Sequence, residues 1–296
     1  MGKLPGPLRL TPSFPFAGRS RELATLRTLI PRADGEGLRF ALIGGEAGSG
    51  KSRLVREFAH EAAGAGALVL YGACDSAVRR PYGPFVEAIE QLVRSIDEAT
   101  LLATLGPHGE ELARLLPDLA QRVGELPLPV VPDPDTERHR LHGAVGDLLS
   151  AAGRRAPLIV VIEDGHWADT PTLLLLRHLA RGSCEARALV VTTFRDTEAE
   201  VPDALSAALV DLRRSEGVVR LHLGGLSTAE ISQFVERAVG DGPAPDLAQV
   251  VDDLVEADRM KAEVLAARAD GLRNVLRLRG GHHEDHPRGR LFQGLQ

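Results

Sequence analysis

Short apolar runs of β type alternate with amphipathic stretches of helical period over the first three quarters of the chain. The β-type runs are Leu38–Ile43, Ala67–Tyr71, Leu158–Ile162, Ala188–Thr193 and Val218–Leu223. Between them, apolar residues recur every three to four positions in Ser52–Ala63, Pro84–Ile96, Thr136–Ala151 and Thr170–Ala180, which predicts helices. An earlier helix is predicted over Ser20–Leu29, with Ser20 as N-cap, Glu22 in the first turn, and Pro31 with the following DGEG stretch ending it. Strands alternating with helices predict an α/β fold: a five-stranded parallel sheet between helices. Leu158–Ile162 is apolar throughout, as a strand buried on both faces should be.

The same pattern divides the chain. Residues 1–15, with prolines at 5, 7, 12 and 15, read as an extended lead-in. Residues 16–225 read as the core, interrupted at 97–135 by Leu-rich helix fragments and the proline-dense LPLPVVPDPD linker. From 226 to 270 the pattern turns helical, as a short partial lid. Ser227 and Glu230 form a capping box there, and Ile231, Phe234, Val235 and Val239 mark one face. Residues 271–296 lose periodicity and read as a disordered tail.

Composition narrows the class. At 296 residues, 44% hydrophobic and 26% charged, the chain is long enough for one large domain or for one with a smaller companion. No apolar run approaches the roughly 20 residues of a membrane span. The N-terminus has no apolar segment of the secretory type. Cys74 and Cys184 suggest neither a disulfide framework nor a zinc site, so two reduced thiols in a cytoplasmic protein are expected. A net charge of −6 offers no general basic face for nucleic acid, so direct DNA binding and membrane binding are not expected. Only three of the 35 basic residues are lysine, and one of them falls inside a phosphate-binding motif.

Residues 45–52, GEAGSGKS, match G-x-x-x-x-G-K-[ST] at every fixed position, with a strand before and an amphipathic helix after. Gly45, Gly48 and Gly50 let consecutive backbone N–H groups turn inward onto phosphate oxygens, and the helix N-terminus adds its dipole. Lys51 then meets the β- and γ-phosphates, and the Ser52 hydroxyl is a Mg²⁺ ligand. Such a loop needs a second acid from the end of another buried strand, and Leu158–Ile162 runs directly into Glu163 and Asp164. One acid would position Mg²⁺, directly or through water, and the other would orient or deprotonate the attacking water. Asp164 is favoured as the more important, with Glu163 beside it, and the division of roles stays open.

These residues sit in a longer pattern that resembles a known family. EDGHWAD (Glu163–Asp169) followed by TPTLLLLRHLAR resembles the second signature of AAA-type STAND ATPases. Domains of this type are found at the N-terminus of large LuxR-type transcriptional regulators and of some bacterial adenylate cyclases. FAGRSREL (Phe16–Leu23) resembles the family's opening, YGPFVEAI (Tyr82–Ile89) the segment after strand two, and ERHRLHGAVGDLL (Glu137–Leu149) the approach to the second acid. VVTTFRD (Val190–Asp196) resembles the sensor strand and LHLGGLSTAEI (Leu221–Ile231) the entry to the helical lid. The resemblance covers about residues 14–250 in order, and it implies a P-loop NTPase of the ASCE/AAA-like type.

It also implies site residues. Phe16, Gly18 and Arg19 would lie by the adenine. Gly45, Glu46, Ala47, Gly48, Ser49, Gly50, Lys51, Ser52 and Arg53 would line the phosphates. Glu163 and Asp164 would serve Mg²⁺ and water, and Arg195 would sense the γ-phosphate. A cation at the carboxyl end of a parallel strand does face the ligand crevice. His166 and the single tryptophan, Trp167, are expected in a core or loop-anchoring role. The implied ligands are ATP or ADP with Mg²⁺. ATP over GTP rests on the resemblance and on the lack of an N-K-x-D guanine reader.

The pattern departs from the family after the lid. No G-N-P-F-F-type segment, helical repeats or helix-turn-helix follows in 251–296, whose composition reads as a truncated gene or another reading frame. The HHEDH cluster, His282–His286, has metal-type ligands but lies in a Gly/Pro-broken stretch that would not hold them at fixed geometry. Three readings result. The leading one is a regulatory Mg-ATP-binding module with slow hydrolysis, acting through self-association or a protein partner. The others are a nucleotide-binding module without turnover, or a remnant, and a small-molecule kinase with Arg177, Arg181 and Arg187 as its lid arginines.

Overall fold

A computed structural model describes residues 4–9, 16–32, 37–77, 80–96, 133–181, 187–196 and 202–227, with short pieces between 101 and 119 and between 229 and 234. The chain forms two compact units. One comprises Met1–Pro12 and Arg19–Gly224, and the other Ser13–Gly18 and Gly225–Gln296.

The first unit is built on a five-stranded sheet. In chain order its elements are α1 (Ser20–Arg32), β1 (Arg39–Gly45), α2 (Lys51–Gly64), β2 (Leu68–Ala73), α3 (Gly83–Ser95), α4 (Gly109–Leu115), α5 (Pro134–Gly153), β3 (Leu158–Glu163), α6 (Thr170–Arg181), β4 (Ala188–Phe194), α7 (Asp203–Arg213) and β5 (Val218–Leu223). Every strand pair is parallel, in the spatial order β2-β3-β4-β1-β5. β3 and β4 are buried along their whole length, which is why Leu158–Ile162 and Ala188–Val191 read as apolar runs, whereas β5 closes an edge and alternates.

Two-residue periodicity sorts the core onto the two faces. Phe40, Leu42, Val160, Ile162, Val190 and Phe194 join α3, α5, α6 and α7 in one apolar cluster. The alternate residues Ala41, Ile43, Ile159, Val161 and Val191 are buried on the opposite face. α1 and α2, packed on β1 and β4, cover that face with Leu26, Leu54, Val55 and Phe58.

The expected fold class is therefore present, with local corrections. Gly6–Arg9 is a helical turn inside the expected extended lead-in. α1 runs to Arg32, past Pro31, and Ser20 is its first helical residue, because the Arg19 carbonyl accepts the first helical bond from the Leu23 N–H. α7 was not anticipated; it begins after Pro202 and buries Leu205, Ala208, Leu209 and Leu212 on one stripe. In the second unit, the expected capping box is formed. The Glu230 carboxylate accepts from the Ser227 N–H at 2.8 Å, and the Glu230 N–H donates to the Ser227 hydroxyl at 3.4 Å. Val235, Val239, Cys184 and the 271–296 stretch with its histidines lie outside the described residues.

Candidate functional site

β1 ends in Gly44-Gly45, and the chain turns at once into a loop that leads to α2. Only glycine fits at Gly45, since a Cβ there would lie 2.6 Å from the Leu223 backbone oxygen and 2.7 Å from Ser49 Oγ. Gly48 and Gly50 take left-handed φ values of 78° and 90°, which fold the loop back over the start of α2. Gly50 stands as the N-cap of α2, without any side-chain cap for the helix's first N–H groups. Lys51 is 8% exposed, and its Nζ donates to the Gly45 and Glu46 carbonyls at 2.8 and 2.6 Å. The ammonium is thus curled onto the loop that precedes it. Ser52 is half-buried one position on, and Ser49 Oγ is buried with no hydrogen-bond partner among the described residues. Glu46 is exposed, and Ala47 is half-buried. Arg53 pairs with Glu57 at 3.4 Å, and burial lowers its guanidinium pKa.

The two acids end the strand two places away in the sheet. β4 separates β1 from β3, and the register pairs Ile162 with Thr192 and Gly44 with Phe194. Glu163 and Asp164 therefore stand level with the start of the glycine loop that follows β1, at the carboxyl ends of the strands, where ligands bind in open α/β sheets. Their environments differ. Glu163 is 9% exposed; its Oε2 accepts from the Tyr71 hydroxyl at 2.8 Å, and its Oε1 is buried with no hydrogen-bond partner among the described residues. Asp164 is exposed, with a left-handed φ of 54°, and its N–H donates to Thr193 Oγ1 at 3.1 Å. This short acid tolerates the conformation that turns the chain away from β3.

Tyr71 was not singled out from the sequence. Burial, followed by the charge and hydrogen bond of Glu163, pushes its phenol pKa well above the ordinary value, so it remains a donor. Arg195 follows β4 directly, one residue beyond the Gly44–Phe194 pair, and is half-buried. Its neighbour Asp196 is a second residue that reading missed. Asp196 Oδ2 meets His222 Nδ1 at 2.7 Å and Arg220 at 3.6 Å, and it lies where a Cβ on Gly44 would fall, 2.6 Å away.

The remaining expectations divide. His166 is buried in the turn Gly165–Trp167, as a loop-anchoring residue would be. Trp167 is 40% exposed, so it is not a core residue; its N–H donates to the Asp164 carbonyl at 2.8 Å, and its ring lies 5.0 Å from that of His166. Phe16 and Gly18 belong to the second unit, while Arg19 belongs to the first. The Arg19 guanidinium is buried against backbone, donating to Ser49 O at 3.2 Å and to Gly224 O, and pairing with Glu22 at 3.3 Å.

The chain is similar to known proteins. A family model described as AAA ATPase domain matches residues 15–192. An uncharacterized protein of Rhizobium meliloti (strain 1021) is 30% identical over 220 residues, covering 67% of this chain and 20% of its own length. Hybrid signal transduction histidine kinase G of Dictyostelium discoideum is 28% identical over 173 residues, 54% of this chain and 5% of its own. The chain thus spans a fifth or less of these relatives. Among solved structures, AMPPCP-bound DnaA from Aquifex aeolicus is similar at 12% identity and a TM-score of 0.48, over 89% of this chain and 62% of DnaA. A STAND protein with a tetratricopeptide repeat sensor from Pyrococcus horikoshii is similar at 15% identity and 0.43, over 93% of this chain and 32% of its own. With the family model matched across the phosphate loop and the acidic strand, the chain belongs to the AAA ATPase domain family.

Proposed function

We propose that this chain is a Mg-ATP-binding regulatory ATPase module with slow hydrolysis, related to the ATPase domain of LuxR-type transcriptional regulators. The observation that carries the reading is one alignment in the sheet. A left-handed glycine loop with Lys51 folded onto it stands level, across β4, with Glu163 and Asp164. The loop N–H groups, the α2 dipole and Lys51 would hold the phosphates. The Ser52 hydroxyl, the Asp164 carboxylate and the orphan Glu163 Oε1 are oxygen donors of the kind Mg²⁺ takes alongside phosphate oxygens and water. Bound there, the ion would neutralise charge developing on the β- and γ-phosphate oxygens. Asp164, the exposed acid, would reach the ion or its water, while Glu163, fixed by Tyr71, would orient the attacking water. Attack by that water would form a new P–O bond to the γ-phosphorus and break its bond to the β–γ bridging oxygen, which leaves with ADP while the water's proton passes to solvent; Arg195 would meet the charge, as the resemblance implies. Phe16 and Gly18 would supply adenine contacts, as the resemblance implies.

Single-turnover phosphate release from Mg-ATP tests the assignment. The expected result is slow release by the intact chain and none by Asp164→Asn, with ATP affinity held within severalfold. Unchanged release in that variant would refute the role of the acid. Binding without release by the intact chain would instead favour a non-hydrolysing interaction module.

A further inference from the structure

The peptide linking Ser49 to Gly50 lies in the middle of the phosphate loop. Its Ser49 carbonyl is tied to Arg19, and Gly50 is the N-cap of α2, its own carbonyl accepting from the Leu54 N–H at 2.9 Å in the next peptide. The Ser49–Gly50 peptide is trans, so the Ser49 carbonyl and the Gly50 N–H point in opposite directions across one planar group. Gly50 lies at φ 90°, and without a Cβ it has no side chain to restrict the rotation of that peptide. The Arg19 guanidinium supplies what the glycine lacks. It is itself immobilised, 8% exposed, by Gly224 O and by Glu22. Arg19 also holds a left-handed φ of 59°, a conformation that non-glycine residues adopt at a cost.

We propose that Arg19 is a positioning residue for the phosphates: by holding the Ser49 carbonyl outward, it turns the Gly50 N–H toward the anion that the loop receives. This rests on the nucleotide reading of the loop and differs from the adenine contact that the sequence resemblance implies for Arg19. The two roles make opposite demands on the ligand. A base contact is lost when the base is absent, whereas an oriented N–H serves any polyphosphate.

The test compares the intact chain with Arg19→Ala and Arg19→Lys by calorimetric titration of Mg-ATP and of inorganic tripolyphosphate, which carries neither base nor ribose. Arg19→Ala is expected to weaken both ligands by the same factor, between about tenfold and a hundredfold, since one charge-assisted bond orients the donor. Arg19→Lys, which keeps the charge and one donor direction, is expected to fall between. Without any ligand, the Gly50 amide nitrogen resonance is expected to move in Arg19→Ala, because that nitrogen shares its peptide with the carbonyl Arg19 holds. Loss of ATP affinity with tripolyphosphate affinity intact would overturn the proposal in favour of a base contact. Equal affinities in all three proteins, or an unmoved Gly50 resonance, would overturn it outright. Lys51→Ala separates the layers: loss there but not in Arg19→Ala removes only the Arg19 role. If the intact chain binds neither ligand, the nucleotide reading fails, and the Gly50 resonance alone decides for or against the tie.

Discussion

Acid should weaken this fold through one histidine. His142 lies on α5, 4% exposed, with its Nε2 3.2 Å from the Tyr82 hydroxyl. Its ring centroid is 5.2 Å from that of His178 on α6, which in turn lies 5.4 Å from His139. Burial, then the charges of His178, Arg138 and His139, lower the His142 pKa from 6.5 to about 4. The group is thus neutral when folded and takes up a proton readily only when unfolded. Its contribution is intact above pH 6.5, declines as pH falls toward 4, and changes no further below that. With unfolded and folded values of 6.5 and about 4, the loss between pH 7 and pH 5 comes to about 2 kcal/mol. The assay is urea unfolding from pH 7 to pH 4.5, comparing the intact chain with His142→Gln. The difference between the two stabilities should shrink by about that 2 kcal/mol as pH falls to 5. Parallel curves for the two proteins would refute the reasoning. The burial of His178 also lowers its pKa and should add to the slope shared by both proteins.

Other perturbations probe the site and core. Tyr71→Phe leaves Glu163 Oε2 buried without its donor; it should cost about 1–3 kcal/mol in denaturant unfolding and slow phosphate release while sparing ATP affinity. Gly45→Ala should lower nucleotide affinity at least tenfold, because the added carbon meets the Leu223 carbonyl oxygen at 2.6 Å; titration with Mg-ATP reads the effect. Phe194→Ala removes a fully buried ring at the end of β4 and should cost about 3–5 kcal/mol in urea unfolding.

Much of this was legible in the sequence where the signal is local. Val218–Leu223, the partly exposed edge strand, was placed to the residue, and the other strands to within two, because apolar runs bounded by polar residues mark buried strands. The Gly45–Ser52 motif is contiguous, and its loop takes left-handed φ at Gly48 and Gly50 with Lys51 folded onto the Gly45 carbonyl. What escaped depends on distance or competition. Tyr71 reads as one more apolar strand residue, and its carboxylate partner is 92 positions away. α7 escaped because its Ala-rich stretch, DALSAALVDLR, carries only a thin apolar stripe. Trp167 was expected in a core or loop-anchoring role; at 40% exposure it is not in the core, and it closes the turn Gly165–Trp167 that follows β3. Arg19 lies in a recognisable segment, yet its contact with Ser49 arises only when α1 and the loop are brought together.

The central claim is that the loop at Gly45–Ser52 binds adenine nucleotide through Lys51. The most direct measurement is calorimetric titration of ATP, ADP and GTP with Mg²⁺ into the intact chain and into Lys51→Ala. The account predicts binding of ATP and ADP, little or none of GTP, and loss of binding in Lys51→Ala. A folded intact chain that binds none of them, or a variant that binds as well as the intact chain, would contradict it.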